Sequence, residues 1–518
     1  MEGTMNSDSK TQGLWELLPY HSEVLAVHAA VLPTGKVLFF AGSGNSPVRA
    51  ASPDFGNMAK HFWTSVVWDP AIVPDPRKDN NFFHPDTLKD AKGRPIDFFC
   101  GGDAFLPDGR LLSAGGTQVY NVPNVHGFFG RTDALLFNPQ TQQWTKTKNM
   151  AHGRWYPTLV TLGDGRILAA SGLSENGTLN TSLEIYSATN EVWQALNVPP
   201  PHQFPGLPLY AHLFLMKDGK LFFTGGRMDD PSPVAPCLLD ITRNPVQITP
   251  VQGLNAPASR NQSASVLLPP AQDQKVMILG GGLEGSADAT ASVDIVDFRA
   301  ARPAFRAAAS MNLPRVHLNA VLMPDHTVFV SGGASRREQK VAAGLQSEIY
   351  DPTTNTWKLA ATATVPRLYH SIALLLPDGR VVAAGGNPDR GKQVRWEPPD
   401  PNEELRLEVY SPPYLFNGPR PVIAAAPTEW KYGQTFAIQS QQAGNIRWAS
   451  LIKNGVTTHS FNTGQRLVDL AIVSQAGGVI QAAVTNEPNI APPGWYMLFI
   501  TDTNGVPSVA KWVHLAHA

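Results

Sequence analysis

Short apolar runs alternate with polar turns along most of this 518-residue chain, and the pattern repeats. Each copy has an apolar run, a Pro-Asp-Gly turn or a variant of it, a second apolar run and a glycine-rich close, as in AFLPDGRLLSAGG. Two apolar segments joined by such a tight turn predict a β-hairpin. The seven copies close at Gly42, Gly116, Gly172, Gly226, Gly281, Gly333 and Gly386.

The spacing of these copies indicates how the hairpins assemble. After a longer first interval, the closing glycines follow one another every 52–56 residues. Several copies are followed by a second pair of strands that ends in tryptophan, as in SEIYDPTTNTW. Four strands in about 50 residues with paired glycines are typical of a kelch-type β-propeller blade. We therefore predict a seven-bladed kelch-type β-propeller over residues 21–400, preceded by a flexible N-terminal tail at residues 1–20.

A different strand pattern begins after Gly386, where the repeat stops. Residues 401–518 contain further short strands, such as TFAIQS and WYMLFITD, and have about the size of an immunoglobulin-like β-sandwich. The predicted fold class is therefore all-β, with a propeller followed by a sandwich.

Composition excludes several classes of function. Only 16% of the residues are charged and the net charge is −1, so the chain lacks the basic surface of a nucleic-acid-binding protein. No apolar run is long enough for a transmembrane helix. The first residues carry no export signal, and the compartment stays open. The two cysteines, Cys100 and Cys237, are too few for a disulfide framework, and we expect Cys237 to be a small buried apolar residue.

One position of the repeat carries an unusual set of side chains. Counting back 16 residues from the closing glycine gives a residue at the start of the first strand, the strand expected nearest the propeller axis. Blade one gives Ala26, with His28 two residues later, and blade five gives Ser263 once its two extra turn residues are discounted. The other five blades give Cys100, Tyr156, Tyr210, His317 and His370.

Cysteine, tyrosine and histidine converging at one end of a closed channel suggest a metal site. Imidazole binds copper, zinc, iron and nickel, and a phenolate adds a hard anionic oxygen. Three arginines, Arg154, Arg315 and Arg367, come two or three residues before register positions. The pattern leaves open whether they support the site or lie as charges at its rim.

At these residues the sequence resembles the copper radical oxidase family, which includes galactose oxidase and glyoxal oxidase. The resemblance covers nearly all of residues 21–518. The matching motifs are FFCGGDAFLPDGR around Cys100, GRWYPTLVTLGDGR around Tyr156, PRLYHSIALLLPDGR around Tyr369 and His370, and THSFNTGQR around His459. LEVYSPPYLFNGPRPVI resembles the family's entry into its C-terminal early-set domain.

The resemblance implies a site and an activity. It implies one copper per chain, held by Tyr156, His370 and His459 with Tyr369 as a more distant axial ligand. It also implies a thioether that joins Cys100 to Tyr156 and serves as a protein-derived radical cofactor. The implied reaction is oxidation of a small aldehyde or primary alcohol by O₂, with release of hydrogen peroxide. We expect a monomer, and the family is usually exported.

The sequence departs from galactose oxidase at one place and leaves one alternative. Galactose oxidase has a tryptophan stacked over its crosslinked tyrosine, and the matching position here is Ser174. This difference favours the glyoxal oxidase branch and small aldehydes. The alternative is a non-catalytic kelch propeller that binds carbohydrate or protein. The complete set of Cys100, Tyr156, Tyr369, His370 and His459 favours the enzyme.

Overall fold

The computed structural model describes residues 8–72, 81–121, 127–228, 234–283, 288–336, 339–387 and 403–516. These ranges are almost entirely strands and turns. Their helices are single turns, and none of them could cross a membrane. The helical turns are Ser9–Gln12, Pro47–Ala51, Met58–Lys60, Pro257–Arg260, Ala271–Asp273, Lys340–Ala342, Pro413–Phe416 and Ala443–Asn445.

Seven antiparallel four-stranded blades form the propeller, which confirms the predicted fold. The first strand of each hairpin lies innermost. Blade 1 comprises His28–Val31, Val37–Phe40, Ser65–Trp68 and Phe82–Phe83. Blade 2 comprises Gly101–Phe105, Leu111–Gly115, Ala134–Asn138 and Gln143–Lys146. Blade 3 comprises Thr158–Thr161, Ile167–Ala170, Leu183–Ser187 and Val192–Ala195. Blade 4 comprises Leu213–Leu215, Leu221–Phe223, Cys237–Asp240 and Gln247–Pro250. Blade 5 comprises Ala264–Leu267, Lys275–Leu279, Val293–Asp297 and Phe305–Ala307. Blade 6 comprises Val316–Leu322, Val328–Ala334, Gln346–Asp351 and Thr356–Thr362. A separate hairpin, Thr117–Val119 with Phe129–Gly130, follows the second strand of blade 2.

The Pro-Asp-Gly-Arg turns explain why each hairpin closes where it does. In blade 2 the Asp108 carboxylate accepts the backbone N–H of Arg110 at 3.0 Å and also binds its guanidinium. Gly109 between them has φ +89°, a conformation that glycine adopts without strain. Asp378 and Arg380 repeat the arrangement in blade 7.

The N-terminal segment corrects the expected domain boundaries. Leu14–His21, which overlaps the expected flexible tail, is the outermost strand of blade 7 and pairs with Arg406–Ser411. Blade 7 is completed by Ser371–Leu375 and Val381–Gly385. A ring of blades closes when strands from both ends of the propeller share one sheet, because this pairing removes an open edge. Arg406–Ser411 therefore belongs to the propeller rather than to the C-terminal sandwich. The expected boundary at residue 400 lies outside the described residues.

The C-terminal domain is a seven-stranded sandwich built on one long shared strand, Leu467–Ala476. On one side of the shared strand lie Val479–Ala483 and Thr435–Gln439. On its other side the order is Ile446–Lys453, Gly494–Asp502, Lys511–Ala516 and Glu429–Lys431.

A loop of the sandwich, residues 454–466, enters the propeller, and we call it the finger. Its strand Val456–Thr458 pairs with His28–Val31, the innermost strand of blade 1, and Phe461–Asn462 pairs back on it. The Gln465 side chain bonds the backbone of blade 6 at Ala320 and Leu322. Because bonds to two blades fix the finger, its side chains have defined positions at the propeller axis.

The three arginines whose role the sequence leaves open form ion pairs inside the blades. Arg154 pairs with Glu184 at 2.8 Å, Arg315 with Glu348 at 3.2 Å, and Arg367 with Glu408 at 3.5 Å. All six side chains are buried inside blades, and burial lowers the pKa of Arg367 to about 10. Buried ion pairs of this kind hold two segments of one blade together, so these arginines are not exposed charges at a rim.

Candidate metal centre

The register residues begin the innermost strands in a left-handed backbone conformation. Cys100, Tyr156, Tyr210, His317 and His370 have φ between +43° and +65°. This conformation is uncommon for residues other than glycine and turns each side chain away from the regular alternation of a strand. It therefore aims the side chains of several blades at one place near the axis.

Main-chain hydrogen bonds connect these positions from blade to blade. The N–H of Tyr156 donates to the Cys100 carbonyl, and the N–H of Tyr210 donates to the Tyr156 carbonyl, both at 2.9 Å. The N–H of His317 donates to the carbonyl of Gln262, which also has positive φ. Gln262, rather than the expected Ser263, is thus the blade 5 equivalent, because the extra turn residues shift the count by one.

The structure brings all five predicted site residues into one buried cluster. Ligand atoms of Cys100, His370 and His459 all lie within 4.8 Å of one another. The hydroxyls of Tyr156 and Tyr369 are in direct hydrogen-bond contact. The His459 ring centroid lies 4.8 Å from those of Tyr156 and His370. Each of the five side chains is at most 2% exposed.

Tyr369 and His370 both reach this cluster although they are neighbours in sequence. Neighbouring side chains in a regular strand point to opposite faces. The innermost strand of blade 7 begins only at Ser371, and His370 has φ +63°. The two rings accordingly lie side by side, with centroids 3.6 Å apart.

The finger points one ring nitrogen of His459 into the cluster. The Thr458 hydroxyl donates its single proton to the Val27 carbonyl at 3.0 Å. Nδ1 of His459, 2.6 Å from the same hydroxyl oxygen, must therefore carry the ring hydrogen and donate it. Nε2 then keeps its lone pair, and it faces Cys100 Sγ at 3.9 Å. An outer hydrogen bond of this kind fixes the tautomer and orientation of metal-binding histidines.

A stacked tryptophan, Trp155, is the site residue that sequence reasoning missed. Its ring lies 3.7 Å from the Tyr156 ring, centroid to centroid, with an interplanar angle of 7°. Phe128 stacks on its other face at 4.2 Å and 4°. Ser174 instead hydrogen-bonds Asn176. Ser174 thus differs from galactose oxidase as expected, but Trp155 supplies a stacked indole from another position of the chain.

Two other register residues lie beside the cluster. Tyr210 stacks on Tyr156 at 4.4 Å, but its hydroxyl donates to the Gly101 carbonyl at 2.7 Å. Burial holds the pKa of Tyr210 well above its ordinary value, so it stays a neutral phenol. The His317 ring lies 5.0 Å from that of Tyr369.

Cys237 packs in the core of blade 4, where burial raises the pKa of its thiol to about 12.

Comparison with known proteins agrees with this architecture. The family model described as Glyoxal oxidase N-terminus matches residues 91–414, and the one described as Galactose oxidase-like, Early set domain matches residues 420–515. The chain belongs to the glyoxal oxidase family. The resemblance seen in the sequence motifs is thereby confirmed.

Several relatives are similar along nearly the whole chain. It is 28% identical to aldehyde oxidase GLOX of Vitis pseudoreticulata over 97% of both chains. It is 25% identical to galactose oxidase of Gibberella zeae over 95% of this chain and 69% of that one. It is also similar to the solved structure of a fungal alcohol oxidase in complex with copper, at 25% identity and a TM-score of 0.79, over 98% of this chain and 100% of the other. These relatives support an oxidase activity.

The donor set of this family member fits copper. Two imidazoles and two phenol oxygens meet in a site closed to water, and imidazole is a preferred ligand of Cu(II). The hydrogen bonding of Thr458 leaves Nε2 of His459 as an acceptor aimed at the cluster.

Proposed function

We propose that this protein is a copper radical oxidase that oxidises a small aldehyde or primary alcohol with O₂ and releases hydrogen peroxide. The observation that carries the proposal is the single buried cluster of Cys100, Tyr156, Tyr369, His370 and His459, drawn from three blades and the finger. A propeller that only binds carbohydrate or protein has no need for this set.

Tyr156, Tyr369, His370 and His459 would hold the copper. When bound, copper supplies Lewis acidity and a one-electron redox couple. Two electrons must leave an alcohol or an aldehyde hydrate, so the protein has to provide a place for the second oxidising equivalent. Tyr156 is that place, because an oxidised phenol ring is stabilised by electron-rich neighbours and by exclusion of water.

A thioether between Cys100 and Tyr156 would make the tyrosine easier to oxidise. Its formation breaks the Cys100 S–H bond and one ring C–H bond and forms one C–S bond. The two electrons and two protons that leave reduce O₂ to hydrogen peroxide. The hydrogen bond from the Tyr156 N–H to the Cys100 carbonyl, at 2.9 Å, supports this pairing because it joins the two residues across neighbouring blades.

Tyr369 would take the proton from the substrate hydroxyl. A free tyrosine has a pKa of about 10, and coordination to a metal is what makes its phenolate available near neutrality. The hydroxyl contact between Tyr369 and Tyr156 supports this role, since proton and electron would then leave the substrate to adjacent groups.

A small cavity lies beside the apolar residues that pack around the site, and none of the five cluster residues lines it. It has a volume of about 270 Å³ and is lined in part by Leu25, Ala41 and Leu405. These apolar residues pack in the same cluster as Cys100, Tyr156 and Tyr369. The Arg49–Glu403 ion pair, at 2.8 Å, forms a polar wall of the cavity.

A substrate panel tests the proposal. Copper-loaded protein is offered glyoxal, methylglyoxal, simple primary alcohols and galactose, and peroxide is measured with a coupled peroxidase. We expect peroxide with at least one small aldehyde, and a loss of about 10²–10⁴-fold in Tyr369→Phe, the range for removing a general base. Absence of peroxide with every substrate, from protein that holds copper, would contradict the proposal.

Trp155 carries a second prediction about the radical. Replacing it with leucine removes the stacked ring from Tyr156, and stacked aromatic pairs contribute roughly 0.5–1.5 kcal/mol. After one-electron oxidation by hexacyanoferrate(III), the tyrosyl radical absorption of Trp155→Leu should decay about two- to tenfold faster than in the wild type. Phe128→Leu is the matched control, because Phe128 touches Trp155 rather than Tyr156. Equal decay rates of the radical absorption in the wild type and Trp155→Leu would show that the tryptophan does not stabilise the radical.

A further inference from the structure

One inner-strand N–H group finds its partner in a different way from the others. At Tyr156, Tyr210 and His317 the backbone N–H donates to a main-chain carbonyl of the preceding blade. At Cys100 the acceptor is a side chain, because the N–H points at Nε2 of His28, 3.3 Å away. Blade 1 thus offers an imidazole where blades 2, 3 and 5 offer a carbonyl.

His28 is itself held in one orientation. Its Nδ1 lies 2.7 Å from Oδ2 of Asp103, and its ring stacks on Phe40 at 4.9 Å. An amide N–H can only donate, so Nε2 is the acceptor and the ring hydrogen lies on Nδ1, pointing at Asp103. His28 is fully buried and Asp103 is 4% exposed. The imidazole is therefore hydrogen-bonded to two residues at the start of blade 2, Cys100 and Asp103.

The same residue also touches the finger. The backbone of His28 pairs with Thr458, the residue before His459. Blade 1, blade 2 and the finger therefore meet at His28, and its ring centroid lies 6.1 Å from that of His459.

We propose that His28, oriented by Asp103, is a positioning residue that sets Cys100 for thioether formation with Tyr156. The inference rests on the proposed function. Cys100 has φ +63°, a conformation that a side chain with Cβ keeps only when its surroundings impose it. The N–H bond to His28 helps to hold Cys100 in this conformation, and with it the direction of the Cα–Cβ bond and the position of Sγ. No proton moves to or from His28 in this role.

The test compares His28→Phe with His28→Gln. Phenylalanine fills the ring space beside Phe40 but offers the Cys100 N–H no acceptor, whereas the glutamine amide oxygen can accept it. Apoprotein is mixed with copper and O₂, and loss of two hydrogens is followed in time by intact mass. We expect crosslinking about tenfold slower in His28→Phe, the order of effect when a buried donor loses its acceptor, and recovery of most of the rate in His28→Gln.

A matched control and a second readout separate positioning from general damage. His326 also pairs with a carboxylate, Asp469 at 2.8 Å, but lies in the turn of the blade 6 hairpin. His326→Phe should crosslink at the wild-type rate. In the apoprotein, hydrogen exchange of the amides at residues 98–105 should be faster in His28→Phe and near wild type in His28→Gln. Melting temperatures of all variants are measured alongside.

The outcomes are distinct. Slow crosslinking in folded His28→Phe with recovery in His28→Gln supports the inference. Wild-type crosslinking in His28→Phe, or equally slow crosslinking in both His28 variants, would overturn it while leaving the proposed enzyme intact. A wild-type protein that binds copper and never loses two hydrogens would overturn the thioether itself, and this inference with it.

Discussion

Replacing His459 with alanine is expected to weaken copper binding at least about 100-fold, beyond the 10–100-fold cost typical of losing a group that only supports a ligand. His459 is buried at the tip of the finger, and the Thr458 hydroxyl leaves its Nε2 as a lone-pair donor facing the cluster. Oxidase activity should fall with the copper content. The propeller should remain folded, because its blades do not depend on this imidazole.

Thr458→Val provides a graded comparison for this prediction. The substitution keeps the shape of the side chain but removes the hydroxyl that fixes the His459 tautomer. We expect an intermediate loss of copper affinity, about 10–100-fold. Copper content, turnover and melting temperature are measured together for both variants. Wild-type copper and turnover in His459→Ala would show that the finger does not complete the site.

Replacing Cys100 with serine is expected to abolish the thioether and lower turnover at least about 100-fold, or about 2.7 kcal/mol of transition-state stabilisation. Serine is close in size and keeps the backbone contacts of Cys100 with His28 and Tyr156. Copper should still bind, because the proposed ligands are the two histidines and the two tyrosines. The loss therefore reports on the oxidation of Tyr156 rather than on metal content.

Cys237→Ala is the matched control for the loss of a thiol. Cys237 is buried in blade 4, and with a pKa of about 12 its thiol stays protonated and unreactive. The variant should form the crosslink and turn over as the wild type does. If Cys100→Ser instead loses its copper, the sulfur is a metal ligand, consistent with its 3.9 Å approach to Nε2 of His459, and the thioether assignment is wrong.

Much of the fold and of the cluster follows from the sequence because the repeat is regular. A fixed count from the closing glycine identifies Cys100, Tyr156 and His370 as equivalent positions, and equivalent positions of a propeller meet at its axis. The count fails by one residue in blade 5, where the turn is longer and Gln262 takes the place expected for Ser263. His459 lies outside the repeat, so its place depended on the family resemblance.

Other features depend on long-range pairing or on backbone conformation that residue identity does not reveal. The strand Leu14–His21 has no partner near it in sequence, since Arg406–Ser411 lies at the far end of the propeller. Trp155 precedes Tyr156, and regular strand alternation would turn the two rings apart. The positive φ of Tyr156 brings them into a stack. Trp155 could be found from the sequence by comparing the residues that directly precede the register position in each blade.

Mass spectrometry of the wild-type protein shows whether Cys100 and Tyr156 become one redox cofactor beside copper. Protein loaded with copper and exposed to O₂ is reduced, digested and mapped. We predict an intact mass that stays lower by about two hydrogens after reduction, whereas a disulfide would be reversed and the sulfenic, sulfinic and sulfonic acids add oxygen. We also predict a linked peptide pair containing Cys100 and Tyr156 that survives reduction. Separate, unmodified Cys100 and Tyr156 peptides from protein that turns over substrate would contradict these predictions.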